Sequence, residues 1–165
     1  MPAEPNFIGM LEVLTRHRVR FVVVGGIAAV LHGAPIMTAD LDVVYDTEPG
    51  NVERLLGALR ELEAQYRDPA GRRILPDTEK LTTFRLSLLS TKLGPLDALR
   101  TIGDGLGYPD LVAGAEEYEV ADLRVLVAGL DTLIVSKEHA DRPKDRATLP
   151  ILRQVLETKK TDRKD

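Results

Sequence analysis

At 165 residues, with 44% apolar and 29% charged residues and no cysteine, the chain can bury a real core, and it excludes disulfides and thiolate-held metal. A net charge of −4 argues against a broad electrostatic nucleic-acid surface and leaves only a local basic patch open. No apolar run approaches membrane-spanning length and the opening MPAEPNF lacks a secretory pattern, so the expectation is one cytoplasmic domain over 1–165, with its core at about 6–157.

Residues 1–5, with two prolines, read as a loose arm. Asn6 is placed to cap a helix running to His17, with Phe7, Met10, Leu11 and Leu14 on one face. Phe21-Val22-Val23-Val24 reads as a buried strand that breaks at Gly25-Gly26, and a short helix follows to about Leu31. A second strand carries Asp40-Leu41-Asp42 and ends at Tyr45. Pro49-Gly50-Asn51 then opens a helix to about Ala64, whose buried stripe is Val52, Leu55, Leu56, Leu59 and Leu62.

Residues 66–79 form a long irregular connection, in which Arg72 and Arg73 read as exposed loop arginines before they read as substrate contacts. Leu81 to Leu89 and Pro95 to Leu99 predict a hairpin, with Asp97 set among leucines and alanine on its second arm. Residues 101–117 read as loop and Tyr118 to Val127 as one further strand. Asp131 is a candidate cap for a helix to about Ala140. Pro143 suits a helical first turn, whereas Pro150 is expected to kink or split that helix, and the tail from Glu157 is expected to fray. His32 and His139 read as structural or exposed, and Met37 and Tyr45 as packing.

The chemistry concentrates in Phe21 to Asp46. Residues i and i+2 of a strand share a face, so Asp40 and Asp42 aim together from an apolar frame. Two such carboxylates repel unless a cation lies between them or one takes a proton, and a metal is the economical answer. Gly25-Gly26 at a strand-to-helix turn leaves backbone N–H groups unshielded, which suits a phosphate. Asp97 stands in an apolar strand, where a lone carboxylate is costly to bury without a partner. From the residues alone, the expectation is a divalent-metal and phosphate site.

The run His32-Gly33-Ala34-Pro35-Ile36-Met37-Thr38-Ala39-Asp40-Leu41-Asp42, after Gly25-Gly26, resembles the core motif of the DNA polymerase β-like nucleotidyltransferases. The run is similar to a bacterial branch that includes AbiE-type toxin–antitoxin nucleotidyltransferases, where His-Gly-x-Pro-Arg-x-Thr-x-Asp-(Ile or Leu)-Asp is typical. A later window, Lys137 with Arg142-Pro143-Lys144-Asp145, is similar to that family's second signature. The chain departs from it at Ile36, where the family has Arg, and at Thr148, where it has Asp.

The resemblance implies an α/β fold: a small mixed sheet carrying the carboxylates on one face, helices behind, and C-terminal helices closing a nucleotide cleft. It implies transfer of a nucleoside monophosphate from an NTP to an acceptor hydroxyl on an RNA end or a protein side chain. Two Mg²⁺ would be held by Asp40, Asp42 and Asp97. Gly25, Gly26, Thr38 and Lys137 would contact the nucleotide, with Arg142, Lys144 and Asp145 shaping the cleft. A cognate toxin or antitoxin is the implied partner. The competing readings are a non-catalytic partner protein that retains the fold, which Ile36 and Thr148 favour, and a module that binds nucleotide without transfer.

Overall fold

The computed structural model describes residues 4–162. Its framework is one seven-stranded mixed sheet in the order β3-β4-β5-β2-β1-β7-β6, of which β3 (Gln65–Tyr66) and β6 (Glu116–Val120) are the edges. The central strands are β1 (Phe21–Val24) and β2 (Leu41–Tyr45), which pair antiparallel with Val24 opposite Asp42. All four residues of β1 are buried, as a continuous apolar run requires of a strand covered on both faces. On one side β2 pairs in parallel with β5 (Gly94–Leu99), and β5 forms a hairpin with β4 (Leu86–Thr91). On the other side β1 meets β7 (Leu123–Val127) in parallel.

Behind the sheet lie α1 (Phe7–Arg16) and α3 (Pro49–Glu61), and their leucines join Leu41, Val43, Leu89 and Leu96 in the core. Asn6 caps α1 as expected, its side-chain oxygen accepting from the Gly9 N–H at 2.8 Å. Tyr45 is fully buried and its hydroxyl donates to the Leu81 carbonyl. Packing was the right reading for Tyr45 and the wrong one for Met37, which is 99% exposed.

Several boundaries differ from the expectations. Thr78–Thr83 is a short helix, α4, capped by Asp77, so the strand begins at Leu86 and not at Leu81. Asp77 and Glu79 supply the helix start that overrides the apolar pattern. Within residues 101–117, Tyr108–Val112 forms α5. Tyr118 to Val127 is not one strand but a hairpin of β6 (Glu116–Val120) and β7, turned at Ala121-Asp122 with φ of 48° and 70°. Two positive φ values in a two-residue loop are the turn geometry that suits strand twist.

Helix α6 (Leu130–Ala140) ends at Asp141 in the left-handed region, and α7 (Pro143–Asp162) follows at once. Asp131 sits in the first turn of α6 and Gly129 holds the cap position. Pro150 does not split α7: both Pro150 and Arg146, whose carbonyl the proline leaves unbonded, are exposed, so water can take that bond. The tail is helical to Asp162, and residues 1–3 and 163–165 lie outside the described residues.

Candidate active site

The sheet brings three carboxylates together. In the parallel ladder Asp42 lies directly opposite Asp97, so a side chain from each of two strands projects on one face. Asp40, just before β2, completes the group: one carboxylate oxygen from each of the three lies within 4.8 Å of the others. Burial pushes Asp42 up to about 7, reinforced by the charges of Asp97 and Asp40 and opposed by Lys144. Its Oδ1 is buried without a hydrogen-bond partner among the described residues. An all-oxygen cluster with an orphaned buried acceptor and crowded negative charge fits a hard divalent cation such as Mg²⁺.

The glycines earn their place by close approach. A Cβ on Gly25 would fall 2.0 Å from Asp42 Oδ2, and Gly25 has φ +67°. A Cβ on Gly26 would fall 2.5 Å from Thr38 Oγ1, while the Thr38 hydroxyl donates to the Asp40 carbonyl at 3.3 Å. The Gly-Gly, Thr38 and Asp-Leu-Asp parts of the motif are therefore one packed unit: β1 runs into α2 (Gly25–Leu31) against the residues that aim the carboxylates. Beside them is a cavity of about 370 Å³, walled by Gly25, Gly26, Thr38 and Lys137.

Asp145 organises the C-terminal wall. It is fully buried and accepts from Lys137 Nζ at 3.2 Å, from Arg142 Nε at 2.6 Å and from the Arg142 backbone N–H at 3.2 Å. Burial alone would raise its pKa, yet the hydrogen bonds from Arg142 and Lys137 prevail and hold it below the usual carboxylate range. With Arg142 as the cap residue, Pro143 first and Asp145 third in α7, the carboxylate reaches back to the cap N–H. Part of the Arg-Pro-Lys-Asp signature is thus the start of a helix. Lys137 lines the same cavity as Gly25 and Gly26, and its ammonium is already ion-paired to Asp145. Ile36 and Thr148 also line that cavity, and the Thr148 hydroxyl is spent on the Lys144 carbonyl at 2.9 Å.

Arg67 went unnoticed in the sequence. Its Nη1 donates to the Leu89 carbonyl at 2.8 Å and its Nη2 to Asp97 Oδ1 at 2.7 Å, so the third carboxylate has a fixed guanidinium on one oxygen. Nothing local marks an arginine just past a two-residue strand, because its partner lies 30 positions away. Arg72 is an exposed loop arginine paired with Asp68, as read. His32 is structural. Its Nε2 lies 2.8 Å from the Ala128 carbonyl, and its Nδ1 takes Lys159 Nζ at 2.6 Å. Burial, with help from Lys159, lowers its pKa, which favours the neutral ring these contacts need.

No protein-family model matches the sequence, and no curated protein matches it. Solved structures do match. The lincosamide antibiotic adenylyltransferase LnuA, with lincomycin bound, superposes with a TM-score of 0.63 at 11% identity, over 93% of this chain and 99% of that one. The antibiotic-resistance factor ANT(2'')-Ia gives 0.59 at 13% identity, over 93% and 83%. TM1012 of Thermotoga maritima gives 0.56 at 17% identity, over 92% and 90%. At these identities the likeness is one of architecture: the chain, a mixed sheet with packed helices, has the nucleotidyltransferase fold.

Proposed function

We propose that the chain is a Mg²⁺-dependent nucleotidyltransferase that moves a nucleoside monophosphate from an NTP to an acceptor hydroxyl. The observation that carries this reading is the Asp40–Asp42–Asp97 cluster, with its unpartnered buried Oδ1, at the mouth of a glycine-walled cavity. Structural neighbours named as an adenylyltransferase and as a factor solved with adenylyl-2''-tobramycin support the reaction class.

In this reading Asp40, Asp42 and Asp97 hold two Mg²⁺, which would neutralise phosphate charge and favour an ionised attacking oxygen. Gly25 and Gly26 let the triphosphate approach the backbone, Thr38 fixes the loop below it, and Lys137 reaches the outer phosphates from the opposite wall. Arg142 and Lys144 complete that wall, and Asp145 orients both Lys137 and Arg142. The acceptor oxygen forms a bond to the α-phosphorus while the bond from that phosphorus to the bridging oxygen breaks. Pyrophosphate leaves with the electron pair, and the hydroxyl proton passes to Asp97 and on to water. The acceptor is an RNA end or protein side chain, and the setting is a cytoplasmic toxin–antitoxin pair.

The test is incubation with each labelled NTP, Mg²⁺ and a cell extract, alongside Asp42→Asn. Label passing to one class of molecule with wild type and not with the variant is the expected result. Mg²⁺-dependent NTP binding with no transfer to any component would favour the nucleotide-binding module instead. The second reading, a non-catalytic partner, rests on the apolar Ile36 and the spent hydroxyl of Thr148 in the cleft.

A further inference from the structure

His32 belongs to the motif run, yet it does not line the glycine-walled cavity. It is the cap residue at the end of α2 and is only 4% exposed. A carbonyl can only accept, so Nε2 carries the hydrogen that goes to Ala128 at 2.8 Å, and Nδ1 keeps a lone pair. That lone pair receives the Lys159 ammonium at 2.6 Å, and the Tyr118 hydroxyl lies 3.0 Å from the same nitrogen. Lys159 also donates to the Tyr118 oxygen at 3.1 Å, and Tyr118 donates to Glu116 Oε2 at 3.1 Å. Three elements remote in sequence, α2, β6 and α7, thus meet on one imidazole nitrogen.

The end of α7 depends on this cluster. The buried residues of α7 are Asp145, Leu149 and Leu152, all in its first half. In 157–162 every residue is exposed except Lys159. A helix end held by one half-buried contact opens at low cost. The charges acting on His32 are Lys159 from α7, Glu116 from β6 and Asp131 from α6: the carboxylates favour an imidazolium and the ammonium opposes it. Lys160 lines the small cavity beside these three and pairs with Glu157 at 3.9 Å. Burial is the largest influence, and with Lys159 it holds the ring's pKa below its ordinary value.

A proton on Nδ1 and the ammonium of Lys159 cannot share this place, because two cations would stand 2.6 Å apart with their hydrogens facing. The proton has an acceptor ready. Tyr118 gives its own hydrogen to Glu116 and offers a lone pair 3.0 Å from Nδ1. The cluster therefore has room for one positive charge, lysine's or imidazole's, and Glu116 balances either. We propose that His32 is an acid-operated latch on α7: protonation of Nδ1 expels Lys159 and frees the last turns of the helix, while the sheet and the buried half of α7 stay in place. The released turns uncover the Tyr118 ring, whose centroid lies 5.8 Å from Lys159 Nζ. None of these groups lines the glycine-walled cavity, so the latch stands whether or not the chain transfers nucleotides. Opening returns the imidazole toward its ordinary value near 6.5, so opening takes up a proton. Acid then favours the open form by up to about tenfold per pH unit between the closed and open values.

The test follows amide hydrogen exchange in the full chain from about pH 8 to about pH 5, corrected for the intrinsic pH dependence of exchange, together with the nitrogen shifts of the His32 ring. In wild type the amides of 157–162 should lose up to about tenfold in protection per pH unit below about 6.5. Over the same range Nδ1 should change from acceptor to N–H, and the amides of β1 and β7 should stay protected. Lys159→Met should leave 157–162 open at every pH and raise the His32 pKa, and Glu116→Gln should move the opening to lower pH. Neither substitution touches the buried core, so both variants should fold. Protection of 157–162 that stays flat down to about pH 5 overturns the latch, as does a fall of the same size in Lys159→Met. Joint loss of protection in β1, β7 and α7 also overturns it, because His32 protonation would then unfold the whole chain.

Discussion

Two carboxylates, Asp145 fully buried and Asp42 partly so, face one cleft and have opposite fates. Asp145, at the α6–α7 junction, is fully buried and saturated: Lys137 and Arg142 supply its hydrogen bonds, and its pKa sits low. Asp42, in the central sheet, has an orphaned oxygen, two carboxylate neighbours and a pKa pushed up to about 7 by burial and those charges. Burial pushes both pKa values up, so it is not what separates them. What differs is whether the chain itself provides the positive charge, as it does at Asp145, or leaves it to a ligand. The first arrangement holds the fold together and the second stores a demand for a cation.

That contrast can be broken most forcefully at Asp145. Asp145→Ala leaves Lys137 and Arg142 without their shared partner and the start of α7 uncapped, so a loss of about 2–4 kcal/mol is expected in denaturant unfolding. A neutral outcome would show that the C-terminal wall does not depend on the cluster. Next in size is the response to metal. At free Mg²⁺ about a hundredfold above Kd, the wild type should gain about 2.7 kcal/mol over the protein in EDTA, and Asp42→Asn should gain none.

The outer phosphates offer a smaller test. Lys137→Ala should weaken NTP binding by roughly 1.5–3 kcal/mol and nucleoside monophosphate binding less. Equal losses for the two ligands would confine Lys137 to its bond with Asp145.

Proton and metal compete at Asp42, and the sign follows from its raised pKa. Between the ordinary carboxylate range near 4 and about 7, the folded chain holds a proton there that the unfolded chain has released. In EDTA this group's contribution therefore falls as pH rises through that window. Above it, the full cost of burying the charge is in place. Saturating Mg²⁺ should remove the decline, and Asp42→Asn should flatten it in EDTA, making that variant the more stable protein by about 1–2 kcal/mol at pH 8. A variant less stable than wild type at that pH would mean that the charge is compensated without metal.

The smallest expected effect is at Ile36. Ile36 and Thr148, at positions where the family that the sequence resembles carries Arg and Asp, leave local charge unchanged, and both line one cavity. If that Arg and Asp were lost together as a pair, Ile36→Arg places an unpaired charge in a half-apolar slot, costs about 1 kcal/mol and leaves turnover unimproved. A large gain in transfer from that one change would show a degraded site and favour the non-catalytic reading.

Local physics made much of this legible in advance. The run Phe21 to Val24 has to be a central strand, Asn6 has to cap α1, and the i, i+2 spacing of Asp40 and Asp42 sets their common face, because each depends on backbone geometry within a few residues. Asp97 was legible as an anomaly, a charge among leucines and alanine. Pro150 misled because a helix's tolerance for proline depends on whether water reaches the freed carbonyl, which only the packed surface decides. Ala121-Asp122 hid a hairpin because neither residue is a glycine that announces positive φ. Tertiary structure alone set Asp97 opposite Asp42, laid Arg67 on its outer oxygen and tied Lys137 to Asp145. Those pairings join residues far apart in the chain, and which partner each charge finds is fixed by strand order and register, quantities that no stretch of sequence carries by itself.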